Sequence, residues 1–245
     1  MALSDEDFGL LQTSIDAIME RIAALHLNLR IERDFHALTD FLRSTGTSII
    51  NTTFDPYFHP VPENSFWLRV LDEDGVTVAT HAETMFLTDD FVSLIESGEL
   101  WRWAGSPPPA GESNPVIQRP PVQIKGKVAY GGSMWINPAQ RKLGLSLYLP
   151  YLSRALFMRN YETDFHTGLV LGSLGLSSVP KQGYGFTNVE PCLTGWFAPA
   201  EKHGVAYLCY MNQQESLKQF QKLPQHPQFP VVITPNFDAR QRLKA

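Results

Sequence analysis

The stretch WINPAQRKLGLSLYLPYLSRAL, residues 135–156, joins a strand-like start to an apolar helix through a proline, a basic pair and a glycine. A helix N-terminus leaves its first amide N–H groups without partners and carries about half a positive charge, so it attracts anions. Gly144 removes a side chain where an anion would approach the backbone, and Ser146 can donate a hydrogen bond. Arg141 and Lys142 add positive charge there. The stretch therefore predicts an anion-binding turn or, if its charges only face solvent, an ordinary capped helix start.

The segments around this stretch follow the patterns of strands and short helices. Residues 65–87 contain two alternating apolar runs joined by Asp72-Glu73-Asp74-Gly75, which predicts a β-hairpin. Residues 127–137 predict a strand, and the pair Gly131-Gly132 within it indicates a bulge or the close approach of another group. Further strands are expected at 163–172, 189–198 and 204–212, with a short or broken helix at 174–186. This alternation is typical of an α/β or α+β fold around one sheet.

Two helices are expected ahead of the hairpin. Ser4 and Asp7 form a capping-box pattern that starts the first helix. Apolar residues then recur at spacings of three and four and form one stripe: Phe8, Leu11, Ile15, Ile18, Ile22, Leu25 and Leu29. The repeat fails at Glu32, so we expect the stripe to pack within the chain, while a homodimer formed through it stays open as the alternative. A second helical pattern runs over residues 35–46.

Composition argues against several classes of protein. The chain has 245 residues, 43% of them hydrophobic, which is enough for a sizeable core. A net charge of -5 argues against a protein whose whole surface binds nucleic acid, although a local basic patch stays open, and we expect no nucleic acid as a partner. The acidic start lacks a secretory pattern and no window reaches the roughly 18 apolar residues of a membrane span, so we expect a cytoplasmic protein without membrane contact. Two cysteines do not make a disulfide scaffold, and His59, His81 and His166 have no ligand spacing, so we expect structural histidines and no metal site.

Residues 138–146, Pro-Ala-Gln-Arg-Lys-Leu-Gly-Leu-Ser, resemble the acyl-CoA motif of the GCN5-related N-acetyltransferases (GNAT). In that family P-x-x-R-x-x-G-x-G/A opens a helix, and the loop amides hold the cofactor pyrophosphate; Ser146 replaces the last small residue here. The element order is also similar: a hairpin, a strand, a cofactor helix from Arg141, a strand, a short helix ending at Gly185-Phe186, and two last strands. The resemblance implies a mixed, mostly antiparallel central sheet flanked by helices, here with an N-terminal helical extension.

We divide the chain into three parts on these patterns. Residues 1–47 form an N-terminal helical segment, residues 48–212 a GNAT-like acyl-CoA-binding domain, and residues 213–245 a C-terminal tail. The proline-rich stretch near 106–121 is an insertion in the central domain, where we expect a surface loop or lid with little regular structure.

The resemblance implies an acyl-CoA-dependent N-acyltransferase that uses acetyl-CoA or another acyl-CoA. An amine attacks the thioester directly in that family, so we expect a small-molecule or peptide amine as the acceptor. The cofactor would contact the strand edge at Met134 and Ile136 and the loop residues Arg141, Lys142, Leu143, Gly144, Leu145 and Ser146. Tyr184 is the candidate acid for the departing thiolate, and Tyr130 and Glu83 are candidates to accept the amine proton.

Three positions depart from the family's pattern. Some members carry a catalytic Glu eleven residues before the Arg of the motif, and that place is Tyr130 here. The usual general-acid Tyr, four residues before the Gly-Phe pair, is Lys181, although Tyr184 comes directly before Gly185. The Asn that often follows the next strand is missing around Gly172. A non-catalytic protein that binds acyl-CoA or a protein partner through the same fold is therefore the second hypothesis.

Overall fold

The structure is a computed structural model that describes residues 2–47, 49–101, 115–197, 202–226 and 229. The helices of these residues are α1 (Asp5–Ala24), α2 (Phe35–Ser44), α3 (Phe91–Glu96), α4 (Leu145–Tyr161), α5 (Ser173–Leu176) and α6 (Gln213–Lys222). The strands are β1 (Asn28–Glu32), β2 (Ser65–Leu71), β3 (Thr77–Thr88), β4 (Val116–Ile117), β5 (Gly126–Ile136), β6 (Phe165–Leu171), β7 (Asn188–Phe197) and β8 (Lys202–Asn212).

The strands form one sheet in the order β1-β2-β3-β5-β6-β8-β7-β4. β2 and β3 form the expected hairpin, and the Asp72 carboxylate accepts hydrogen bonds from the amides of Asp74 and Val76 in its turn. β5 and β6 run parallel, whereas the other neighbouring pairs of described strands are antiparallel. The predicted fold class, a mixed and mostly antiparallel sheet flanked by helices, is confirmed.

Helices cover both faces of the sheet. Neighbouring side chains of a strand point to opposite faces, so Phe66 and Leu68 of β2 pack with α1, α4 and α6, whereas Trp67 packs with α2 and α3. The larger side chains of both groups are fully buried, Trp67 and Leu68 among them. Within the described residues, no helix is both long and apolar enough to cross a membrane.

The N-terminal segment belongs to the same core as the sheet. Ser4 Oγ accepts the Asp7 amide at 3.2 Å and Asp7 Oδ2 accepts the Ser4 amide at 2.9 Å, so the capping box is confirmed. The apolar stripe of α1 packs against α4 within the chain. The prediction for Leu29 was wrong, because this residue lies in β1 and pairs with Val70 of β2. Residues 1–47 therefore contribute a strand as well as two helices.

Residues 106–114 of the proline-rich stretch lie outside the described residues, and Val116 and Ile117 form the two-residue strand β4 against β7. The surface loop or lid expected there stays a prediction, whereas one further expectation is corrected. The helix expected from Arg141 begins at Leu145 instead. A 3-10 turn at Pro138–Gln140 and left-handed backbone at Lys142 and Gly144 precede it, and neither is compatible with a continuous α-helix. Residues 227–228 and 230–245 of the tail lie outside the described part.

Candidate active site

A cleft opens where the two parallel strands separate. β5 and β6 pair only over residues 128–131 and 165–168, and beyond these pairs each strand continues without the other. β5 also carries one extra residue relative to β3 between Gly132 and Trp135, which is the bulge that the glycine pair indicated. The resulting cleft has a volume of about 350 Å³ and is lined by side chains from both faces of the sheet.

The cleft has an apolar half and a polar half. The apolar half lies on the side of the sheet covered by α2 and is formed by large side chains such as Leu42, Ile50, Trp101 and Phe197. The polar half lies on the side of α4 and contains His81, Glu83, Arg154 and His166. A substrate in this cleft would therefore meet hydrocarbon on one side and buried charge on the other.

Glu83 is the buried carboxylate of the polar half, with 4% of its surface exposed. Its Oε1 accepts a hydrogen bond from Nδ1 of His166 at 3.1 Å, and its Oε2 accepts one from the Ser153 hydroxyl. Nε2 of His166 accepts a hydrogen bond from Oγ1 of Thr163 at 2.7 Å. These hydrogen bonds assign the Nδ1–H tautomer to His166 and hold the Glu83 carboxylate in one orientation.

The charges of this cluster follow from burial and hydrogen bonding. Burial alone raises the pKa of Glu83, but the hydrogen bonds from His166 and Ser153 offset it, so the pKa lies below its usual value. Burial lowers the pKa of His166, and the hydrogen bond and negative charge of Glu83 raise it again only in part. Burial also lowers the pKa of His81 to about 4. Glu83 is therefore negative near pH 7, while both histidines are neutral.

Arg154 is the second buried charge of the cleft, with 2% of its surface exposed. Its Nη2 donates a hydrogen bond to the Tyr184 carbonyl at 3.0 Å, and its guanidinium lies 5.2 Å from the ring centre of Tyr151 and 5.0 Å from that of Phe186. Nε and Nη1 have no hydrogen-bond partner within the described residues. Burial lowers the pKa of Arg154, but a guanidinium keeps its proton at neutral pH.

One face of α4 connects the loop before the helix to the cleft. Ser146, Pro150 and Arg154 recur every four residues and so share this face. Pro150 and Arg154 line the cleft, and a Cβ at Gly183, next to Tyr184, would lie 3.9 Å from Ser146 Oγ. Proline has no N–H group, so the Ser146 carbonyl lacks its usual helical donor on the same face.

The turn before α4 has the backbone expected of an anion-binding loop. Gly144, with φ 81, is the N-cap of α4, and no side chain caps the helix. The Leu147 amide donates to the Gly144 carbonyl at 2.8 Å, so the amides of Leu145 and Ser146 are the ones left available to an anion. Arg141 and Lys142 are exposed beside this turn. Glycine is also required for a second reason, because a Cβ at Gly144 would lie 2.9 Å from the ring of Tyr148.

The two tyrosines lie in different surroundings. Tyr184 lines the cleft beside Arg154, and burial, followed by the nearby Cys209, raises its pKa. Tyr130 lies on the apolar side, stacked 6.0 Å from Phe54, with its hydroxyl accepting a hydrogen bond from Nδ2 of Asn51 at 3.1 Å. Burial raises the pKa of Tyr130 to about 12. Both phenols are therefore protonated at neutral pH.

The structure brings only some of the predicted site residues together. Glu83, Tyr130, Met134 and Tyr184 line the cleft. Ile136, Leu143 and Leu145 pack into the core on the α4 side of the sheet, and Arg141 and Lys142 face solvent. Gly144 and Ser146 lie at the N-terminus of α4. The predicted cofactor residues thus follow one path, from the exposed turn along α4 to the cleft.

Sequence reasoning missed Arg154 and the contribution of the histidines. Arg154 interrupts an otherwise apolar helix at the spacing of Ser146 and Pro150, and that pattern was the available signal. His81 alternates with Glu83 on one face of β3, which indicated their proximity. His166 lies on another strand, and nothing in its local sequence points to Glu83.

The order of strands and helices along the chain identifies the fold. After the hairpin, α3 and the short β4 come first; then follow β5, a helix that starts after the motif, a parallel strand, a short helix and two antiparallel strands, the order that the resemblance implied. The fold is GNAT-like.

Comparisons with known proteins give the following similarities. No family model and no curated protein matches the chain. Arabidopsis thaliana NAA60 in complex with acetyl-CoA is similar with a TM-score of 0.46 at 11% identity, over 77% of this chain and 99% of that one. SpeG spermidine N-acetyltransferase from Vibrio cholerae is similar with a TM-score of 0.45 at 13% identity, over 78% and 96% of the two chains. Aminoglycoside acetyltransferase AAC(6')-Ib with coenzyme A and kanamycin is similar with a TM-score of 0.43 at 12% identity, over 77% and 96%.

Proposed function

We propose that this protein is an acyl-CoA-dependent N-acyltransferase. In the proposed reaction the acceptor nitrogen forms a bond to the acyl carbon and the bond from that carbon to sulfur breaks. The products are an amide and free coenzyme A. The observation that carries the proposal is the cleft between β5 and β6, which is lined by a buried carboxylate and a protonated tyrosine and lies along α4 from a helix N-terminus without a side-chain cap.

The turn before α4 fits the pyrophosphate of a coenzyme A. Its first helical amides have no side-chain cap, and Arg141 and Lys142 add two exposed positive charges. Beyond residues 128–131, β5 no longer pairs with β6, so the edge at Met134 and Ile136 has backbone groups for an extended pantetheine arm. When bound, an acyl-CoA would supply the thioester at the cleft.

Glu83 and Tyr184 are the residues to which we assign proton transfer. Glu83 is ionised, so it can accept the proton that the amine loses as it attacks. Tyr184 keeps its proton at neutral pH and can donate it to the departing thiolate. Tyr130 was a candidate acceptor, but a phenol with a pKa of about 12 stays protonated at neutral pH. We therefore assign it a packing role beside Asn51.

The test combines binding with turnover. Isothermal titration with acetyl-CoA measures cofactor binding, and thiol release over a panel of amines measures transfer. We expect binding, turnover with at least one amine, and a kcat for Tyr184→Phe lower by roughly 100-fold. Tyr161→Phe is the matched control, because Tyr161 lies half-buried at the far end of α4 and packs on Phe157.

A second candidate function is an acyl-CoA-binding protein without catalysis. The observation that favours it is Tyr130, which stands where some members of the resembled family carry a catalytic Glu. Binding of acetyl-CoA without release of thiol from any amine would support this candidate. Absence of binding to acetyl-CoA and to longer acyl-CoA molecules would contradict both.

A further inference from the structure

Two opposite charges are buried in the cleft without pairing to each other. Among the described residues that line it, Arg154 is the only cation and Glu83 the only anion once the histidines are neutral. Glu83 uses its oxygens for His166 and Ser153. Arg154 instead donates one hydrogen bond to a backbone carbonyl, that of Tyr184.

The guanidinium of Arg154 has donors left over inside the cleft. Nε and Nη1 have no hydrogen-bond partner among the described residues, although only 2% of the Arg154 surface is exposed. A buried charged donor without an acceptor is costly, so such groups in proteins are paired or face a ligand. The aromatic rings of Tyr151 and Phe186 contact the guanidinium but accept no strong hydrogen bond from it.

The chemistry of this subsite favours a carboxylate. A guanidinium presents N–H groups in a planar fork that matches the two oxygens of a carboxylate. A phosphate dianion fits less well, because the negative Glu83 lines the same cleft and Arg154 is the only opposing charge among the described lining residues. One carboxylate would neutralise Arg154 and satisfy its free donors.

We propose that Arg154 binds a carboxylate carried by a substrate of this protein. The proposal rests on the proposed function, because that function supplies the two substrates that can carry it. The carboxylate can belong to the acceptor, as in an amino acid, whose amine would then lie towards Glu83. It can also end the acyl group of a dicarboxylic acyl-CoA. The apolar half of the cleft suits a hydrocarbon side chain in the first case.

The first arm of the test uses the unaltered protein. Thiol release from acetyl-CoA is measured with glycine, L-leucine and L-phenylalanine, each against the amine with the same side chain: methylamine, 3-methylbutylamine and 2-phenylethylamine. L-leucinamide keeps the substituted carbon but lacks the charge. If the acceptor carries the carboxylate, we expect kcat/KM for at least one amino acid to exceed that of its amine by roughly 30-fold.

The second arm compares acyl donors at a fixed amine. Succinyl-CoA and acetyl-CoA are each offered with 3-methylbutylamine. If the acyl group carries the carboxylate, we expect kcat/KM for succinyl-CoA to exceed that for acetyl-CoA by roughly 30-fold. Titration of the same amino acids and amines into the coenzyme A complex measures the preference without turnover. Equal use and equal binding of charged and neutral ligands in both arms would overturn the proposal.

Variants of Arg154 show whether this residue causes the preference. Arg154→Gln should lower kcat/KM for the carboxylate substrate roughly 30-fold more than for its neutral analogue, and Arg154→Lys should keep part of the preference. Arg159→Gln is the control, since Arg159 is exposed at the other end of α4. Circular dichroism checks that each variant is folded.

The outcomes separate this proposal from the proposed function. If Arg154→Gln loses activity equally on all substrates, Arg154 has a role common to every acceptor, and the proposal of carboxylate binding is overturned. Binding and turnover of acetyl-CoA with no carboxylate preference leave the proposed function standing and refute only the role of Arg154. A protein that binds no acyl-CoA refutes the proposed function, and titration of amino acids into the free protein then decides on Arg154.

Discussion

Nδ1 of His166 donates a hydrogen bond to Oε1 of Glu83 over 3.1 Å, although the two residues lie 83 positions apart. The bond spans two strands, β3 and β6, that lie on either side of β5. On β5, Gly131 pairs with Glu83, and a Cβ at Gly131 would lie 3.2 Å from the ring of His81. A side chain at Gly131 would therefore crowd His81, which lies on the same face of β3 as Glu83.

Replacing Glu83 tests its proposed role as the proton acceptor. We expect Glu83→Gln to lower kcat by roughly 100-fold or more, because the amide cannot accept the amine proton. Titration should show that the Kd for acetyl-CoA changes by less than about threefold, since Glu83 is remote from the turn before α4. Ser153→Ala removes one hydrogen bond to the carboxylate but leaves its charge, so it is the control. A Gln variant with near-normal kcat would exclude Glu83 as the acceptor.

Tyr130→Phe should affect stability more than turnover. The change removes the hydroxyl that accepts a hydrogen bond from Asn51 but keeps the stacked ring. We expect the free energy of unfolding, measured in urea, to fall by about 1 kcal/mol. Turnover should stay within about threefold of the unaltered protein. A loss of kcat similar to that of Glu83→Gln would return Tyr130 to the proton-transfer pathway.

Arg141→Ala tests the anion-binding turn. The exposed guanidinium lies next to the free amides of α4, so its removal should weaken acetyl-CoA binding by roughly fivefold at low salt, with a smaller effect at high salt. Arg159→Ala removes the same charge at the other end of the helix and should leave the Kd unchanged. Calorimetric titration of each variant at low and at high salt measures the Kd for acetyl-CoA. Equal effects of the two variants would argue against a pyrophosphate at this turn.

Gly144→Ala separates backbone strain from steric contact. Gly144 has φ 81 and a Cβ there would meet the Tyr148 ring at 2.9 Å, whereas Gly46 has φ 74 and nothing within 4 Å. Both Ala variants incur the cost of left-handed backbone, about 1–2 kcal/mol. Gly144→Ala should lower the free energy of unfolding further, because Tyr148 must move. Equal losses in urea titrations would show that the ring adapts without cost.

The stability of the protein should depend on His81 between pH 4 and 6.5. Burial holds the pKa of His81 at about 4, below its ordinary value of 6.5, so the unfolded chain binds more protons in this window. Stability from His81 is therefore complete above pH 6.5 and is lost as the pH falls, by up to about 1.4 kcal/mol per pH unit. His81→Gln should flatten the dependence of the unfolding free energy on pH, with the slope from His166 remaining. His36→Gln, an exposed control, should keep the full slope.

The elements of the fold could be predicted because their signals are local. The capping box at Ser4, the hairpin turn after Asp72 and the bulge beside Gly131-Gly132 each depend on a few neighbouring residues. β1 was missed because Leu29 continues the apolar spacing of α1. The helix in fact ends at Ala24, and the residues after Leu27 form β1 by pairing with β2, which is distant in the chain. The start of α4 was misplaced because left-handed backbone at Lys142 has no sequence signal.

The sequence by itself determined the order of most strands and helices from the hairpin onward, and it predicted an anion-binding turn before α4 and a candidate set that included Glu83 and Tyr184. Only the tertiary structure decided which of those side chains meet. Glu83 contacts His166 and Ser153 because β3, β6 and α4 converge at the point where β5 and β6 separate. The same convergence buries Arg154 with unpaired donors in the cleft. Burial and long-range hydrogen bonds set charge and pKa, and both depend on residues that are distant in the chain.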